Sequence, residues 1–170
     1  MKIAVDRLFH PDVAALEIEQ NVRLAGDLGD RYPDGVFVRA KISRIRHGVH
    51  IEGTLRGVER ETCARCLETF DRPIAIEVAE TFSEDIAPGE DAAATVSPLV
   101  DRHIDLTDLV SQLLEVDEPM APLCSPACKG ICPMCGINRN VAACDCRGDG
   151  IDPRLAGLAS LRDEAESETI

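Results

Sequence analysis

Val36-Phe-Val-Arg-Ala-Lys-Ile42, answered after a short break by Val49-His-Ile-Glu-Gly-Thr-Leu-Arg56, decides the fold of this chain. Val36, Val38, Ala40 and Ile42 share one phase of a period-two repeat, with Phe37, Arg39 and Lys41 in the other. A period of two places successive side chains on opposite faces of a strand. The phase slips near Ser43 to Ile45, which predicts a bulge or a strand end. His47-Gly48 supplies a turn, and Val49, Ile51, Gly53 and Leu55 alternate with His50, Glu52, Thr54 and Arg56 on the return strand. The pair reads as a hairpin.

The same alternation recurs on both sides. Leu16, Ile18, Val22 and Leu24 alternate with Glu17, Glu19, Asn21 and Arg23, and Ile74, Ile76, Val78 and Phe82 form a later set. Three or four consecutive strands with one apolar and one charged face predict an antiparallel meander or a partly closed barrel. The expected class is α+β, mainly antiparallel β, with a C-terminal cysteine-rich zinc-knuckle segment and two short helices. One helix follows Thr107, read as its N-cap, with Leu109, Val110, Leu113 and Leu114 at helical spacing and Pro119 and Pro122 beyond its end. The other starts at Asp152-Pro153 and carries Leu155, Leu158 and Leu161. The chain divides into a β-domain at 1–82, an acidic Ala/Pro/Gly linker at 83–98, and a helix returning to the sheet at 99–121. A cysteine cluster at 122–148 and a C-terminal helix with an acidic tail at 149–170 complete it.

Eight of the 170 residues are cysteine. Cys63 and Cys66 stand in C-A-R-C, and Cys124, Cys128, Cys132, Cys135, Cys144 and Cys146 crowd a short C-terminal stretch. Paired thiolates on tight turns suit tetrahedral zinc, and Gly136, directly after Cys132-Pro-Met-Cys135, permits the positive-φ turn of a knuckle. None of the four histidines has knuckle spacing to a cysteine. Two pairings stay open. In one, Cys132, Cys135, Cys144 and Cys146 form a local quartet, leaving Cys63, Cys66, Cys124 and Cys128 to pin the C-terminal segment to the sheet. In the other, the two C-x-x-C turns pair with each other. Either way all-cysteine sites are closed to water and structural. No phosphate-binding loop, dinucleotide fingerprint, nucleophile elbow or H-E-x-x-H is present, so a non-enzyme is expected.

The start, M-K-I-A-V-D-R, lacks the apolar run of a signal peptide, and no stretch reaches the roughly 20 apolar residues of a membrane span. A cytoplasmic location follows as the expectation, where thiols favour metal over disulfides. Net charge is −13, and two filled four-cysteine zinc sites would take it to about −17. Such a body does not bind nucleic acid generically. Residues 39–65 run the other way, at +4. Arg39, Lys41, Arg44, Arg46, Arg56 and Arg65 are therefore the candidates for RNA or partner contact, weighed against a solvated strand face.

C-A-R-C-L-E-T-F at Cys63 to Phe70, P-L-C-S-P-A-C-K-G-I-C-P-M-C-G-I-N-R-N at Pro122 to Asn140, and D-P-R-L-A-G-L-A-S-L at Asp152 to Leu161 resemble the ordered motifs of the YceD-like family. These are the bacterial and plastid "large ribosomal RNA subunit accumulation" proteins. Arg139 departs from the Leu common in that family's G-x-N-L-N. The resemblance implies a non-enzymatic role in production, processing or stability of 23S ribosomal RNA. The implied partner is the pre-50S particle, met through a basic ribosomal protein that the acidic body attracts, with 23S rRNA as a second contact. No membrane and no small-molecule substrate are implied. The competing readings are a zinc-stabilised interaction module outside ribosome assembly and a thiol switch that releases zinc on oxidation.

Overall fold

The computed structural model describes residues 1–86 and 96–146. The strands are β1 (Lys2–Ala4), β2 (Ala15–Val22), β3 (Val36–Ile45), β4 (Gly48–Thr62), β5 (Thr69–Ser83), β6 (Val96–Pro98) and β7 (His103–Asp105). The helices are α1 (Asp27–Arg31) and α2 (Leu106–Asp117). A five-stranded sheet runs in the order β2-β3-β4-β5-β6, and β1 pairs with β7 in a separate ribbon.

The meander is present and the sheet stays open rather than closing into a barrel, with β2 at one edge and β6 at the other. β3 and β4 pair in unbroken register from Val36↔Gly57 to Ile45↔Gly48. The phase slip near Ser43 is thus a strand end approaching the Arg46-His47 turn, and no bulge forms. Val36, Val38, Ala40, Ile42, Val49, Ile51, Leu55, Ile74, Val78 and Phe82 line one face and are buried. Leu106, Leu109, Val110 and Leu114 bring the apolar side of α2 into the same core. Burial of this kind contributes roughly 25 cal/mol per Å² of apolar surface.

Several elements differ from the sequence expectation. The N-cap of α2 is Asp105, not Thr107. The Asp105 carboxylate accepts from the N–H groups of Thr107 and Asp108, while the Thr107 hydroxyl accepts from the N-terminal ammonium. Val96–Pro98, read as linker, is a strand parallel to β5. β1 and α1 are too short to show a period. The expected helix at Asp152 to Leu161, and residues 87–95 of the linker, lie outside the described residues. Among the described residues no helix is long and apolar enough to cross a membrane.

The long strands position the cysteines. β4 and β5 pair over fifteen positions, from Gly48↔Ser83 to Thr62↔Thr69, but β3 accompanies β4 only to Gly57. Residues 58–62 and 69–73 therefore project as a two-stranded ribbon, a form marginally stable alone. Glu59 anchors it. This carboxylate is fully buried and accepts from Arg31, the last residue of α1, and from Arg72 on the opposite strand. Arg31 also reaches Glu61 and Glu118, and Arg72 reaches Asp117, so the end of α2 is tied to the ribbon.

Candidate metal centres

Both C-x-x-C turns have one backbone design. At the ribbon tip the N–H of Leu67 donates to the carbonyl of Cys63, and the N–H of Cys63 donates to the carbonyl of Glu68. In the second turn Gly136 donates to Cys132, and Cys132 to Ile137, at closely similar distances. The residue after the second cysteine has positive φ in each, 61° for Leu67 and 73° for Gly136. Gly136 matches the sequence reading. Leu67 makes the same turn without glycine, which is why sequence alone does not show the two turns as equivalent.

The eight sulfurs gather into two groups of four, each within 4.8 Å. Cys63 and Cys66 meet Cys124 and Cys128, while Cys132, Cys135, Cys144 and Cys146 form the local group. The two C-x-x-C turns do not share a group. In the first group Cys63 Sγ lies 3.8 Å from Cys128 Sγ, and Cys66 Sγ lies 3.7 Å from Cys124 Sγ. A tetrahedron of sulfurs at about 2.3 Å from a central ion has edges of about 3.8 Å, whereas a disulfide holds its sulfurs about 2.05 Å apart. The donor type, number and spacing fit a closed tetrahedral ion, and each group could hold one.

The electrostatics of the thiols point the same way. Backbone N–H groups of Cys124 and Cys66 aim at the Cys63 sulfur and bring its pKa down to about 6. N–H groups of Cys135 and Met134 do the same for Cys132, also to about 6. The Asn140 amide lowers Cys128. Burial and the neighbouring sulfurs push Cys124 up to about 12, and the Cys135 sulfur, followed by burial, pushes Cys146 to about 12. Part of each group is ready to ionise and the rest resists for want of a countercharge. A central dication would supply that charge.

The first group is sewn to the sheet. Ala64 donates to the Pro122 carbonyl and Ile131 to the Arg65 carbonyl. Arg65 Nη1 donates to the Cys128 carbonyl at 3.1 Å. A Cβ at Gly130 would stand 3.0 Å from the Arg65 oxygen, so glycine permits this approach. Asn140 links the groups: its Oδ1 accepts from the Lys129 N–H, and its Nδ2 donates to Cys128 Sγ at 3.2 Å. Asn138 reaches back to Glu68 on the first turn. Neither asparagine stood out in the sequence. Their place in G-I-N-R-N, directly after a knuckle, was the available signal.

The basic candidates do not pool into one patch. Arg39 pairs with Glu19 and Lys41 with Glu52 on the outer sheet face. Arg44 turns to the other side, with its guanidinium 5.0 Å from the Phe9 ring centroid. Arg46 sits in the β3–β4 turn, Arg56 on the outer face opposite Phe37 and Ala75, and Arg65 in the cysteine site. The local excess of +4 is offset in space by acids from β2 and β5, including Glu17, Glu19 and Glu77.

Residues 51–162 match the family model described as "Large ribosomal RNA subunit accumulation protein YceD". The chain is 26% identical over 177 residues to "Large ribosomal RNA subunit accumulation protein YCED homolog 1, chloroplastic" of Arabidopsis thaliana, covering 86% of this chain and 55% of that protein. It is 30% identical over 132 residues to an uncharacterized protein of Mycobacterium tuberculosis, covering 76% of this chain and 63% of that one. The maize protein with the same printed name as the Arabidopsis one is 23% identical, with 75% and 52% covered. The chain thus spans between half and two thirds of the length of these relatives. No solved structure matches. The family match begins inside β4, runs through the ribbon turn and takes in all eight cysteines, and on that match the chain belongs to the YceD family.

Proposed function

We propose that this protein is a non-enzymatic ribosome-biogenesis factor, cytoplasmic, that supports accumulation, processing or stability of 23S rRNA during large-subunit assembly. Each four-sulfur group holds one structural zinc ion through Cys63, Cys66, Cys124 and Cys128, or through Cys132, Cys135, Cys144 and Cys146. Zinc clamps the C-terminal segment to the ribbon and makes a rigid platform. The observation that carries this reading is the family match over residues whose sulfurs gather into two groups of four, each of which could hold an ion. Sites with four protein ligands leave no position for a reacting water, which favours a platform over a catalyst.

The net charge of −13 favours a basic ribosomal protein of the pre-50S particle as first partner. Contact with 23S rRNA is secondary. Arg46 and Arg56, which form no ion pair among the described residues, are the better placed of the basic candidates. Arg39, Lys41, Arg44 and Arg65 are engaged within the protein. The test is depletion of the protein with ribosomal particles resolved on sucrose gradients and the protein followed in parallel. A selective fall in 50S particles, with the protein sedimenting with their precursors, is expected. Normal profiles without particle association would favour a zinc-stabilised module acting outside ribosome assembly.

A further inference from the structure

We propose that the free edge of β2 binds an extended, basic segment of a partner protein by adding it as a sixth strand to the sheet. β2 is eight residues long and pairs only with β3, so along its outer edge alternate residues offer unpaired backbone N–H and carbonyl groups. On the other side of the sheet β6 covers only Thr81 to Ser83 of β5, so residues 69–80 of β5 also lack a strand neighbour there among the described residues, but that stretch carries Pro73, which has no N–H to donate. The side chains of β2 say what the edge accepts. Leu16 and Ile18 point toward the core face and stay half-buried for lack of a neighbouring strand. Glu17 and Glu19 point to the outer face.

Glu19 is engaged by Arg39, whereas Glu17 forms no ion pair among the described residues. Both line a concavity of about 660 Å³ on the outer face of β2, β3 and β4, where Arg39 pairs with Glu19 and Lys41 with Glu52, leaving Glu17 as the acid without an ion pair among the described residues. A strand that alternates basic and apolar residues satisfies all three features at once. Its backbone completes the ladder, its apolar side chains cover Leu16 and Ile18, and its basic side chains meet Glu17. A second copy of this chain fits poorly. In the two antiparallel registers nearest the centre that keep both core faces on one side, Glu17 faces Glu19 or Glu19 faces Glu19, and like charges directly opposite destabilise a pair. This site narrows the basic-partner reading above and rests on it for the chemistry of the partner.

The test uses the full zinc-loaded chain with a short peptide alternating Lys and Val and long enough to span β2. Binding is read by fluorescence anisotropy and by amide hydrogen exchange at residues 15–22. We expect new protection confined to these residues, affinity about tenfold weaker in Glu17→Lys and weaker again in Glu17→Lys/Glu19→Lys. Binding should be lost for the same peptide N-methylated on alternate amides. The single variant guards against disturbance of the Glu19–Arg39 pair. Protection elsewhere, or affinity indifferent to Glu17→Lys, overturns the site. Protection that rises with protein concentration without peptide assigns the edge to a second copy, and equal protection by an RNA oligonucleotide assigns it to nucleic acid; both overturn the proposal. In cells, the double variant should fail to restore 50S particles after depletion. Full restoration removes the edge while leaving the ribosomal role, which depletion itself tests.

Discussion

Glu59→Gln isolates the ion network that holds the ribbon. The substitution keeps the shape of the side chain and removes a negative charge that is fully buried between two guanidiniums. Breaking a buried ion pair by deleting one partner costs about 3–5 kcal/mol. The low end applies here, since Gln retains one acceptor, Arg31 keeps Glu61 and Glu118, and Arg72 keeps Asp117. At about 3 kcal/mol the midpoint of thermal unfolding of a chain this long should fall by about 6–12 °C. Protection of amides in residues 58–62 and 69–73 should fall with it, because β3 does not reach that ribbon. Arg72→Gln should cost less in the Glu59→Gln background than alone, by at least about 1 kcal/mol.

The pH dependence has a definite sign. The Glu59 pKa is lowered below its ordinary 4.5, with burial opposing and the hydrogen bonds from Arg72 and Arg31 prevailing. A depressed carboxylate stabilises the fold above its unfolded pKa and ceases to do so as pH falls through the folded value. The difference between wild type and Glu59→Gln should therefore be complete at neutral pH and shrink in acid below 4.5. Measuring both proteins after chelation cancels the loss of metal that acid also causes. A midpoint shift under about 2 °C, or a penalty that grows in acid, would refute the reasoning.

Native mass spectrometry should find two zinc ions, and Cys63→Ser and Cys144→Ser should each remove one. A count that neither change lowers would break the assignment of the groups. Asn140→Leu removes the donor to Cys128 Sγ and should weaken metal at the first group by about tenfold or more, with the second group unchanged, as read by cobalt substitution and competition with a chromophoric chelator. Leu67→Gly relieves a left-handed φ at an exposed turn. After the entropy that glycine costs, a net gain of about 0.5 kcal/mol is expected in denaturant unfolding.

The strands were legible in the sequence because alternation is a local property. Val36 to Ile42 and Val49 to Leu55 alternate apolar and polar positions whatever the rest of the chain does. The sulfur chemistry was legible for a similar reason, since a C-x-x-C turn and its thiolates lie within a few residues of one another. What the tertiary structure alone decided depends on distance through space. Cys66 meets Cys124 across 58 positions of sequence because β4 and β5 carry the turn to the place where the chain leaving α2 passes. Glu59 looks like one acid among many until β5 and α1 bring two arginines to it. The basic run at 39–65 looks cationic until β2 and β5 lay carboxylates beside it, because charge adds over neighbours in space while sequence orders neighbours along the chain.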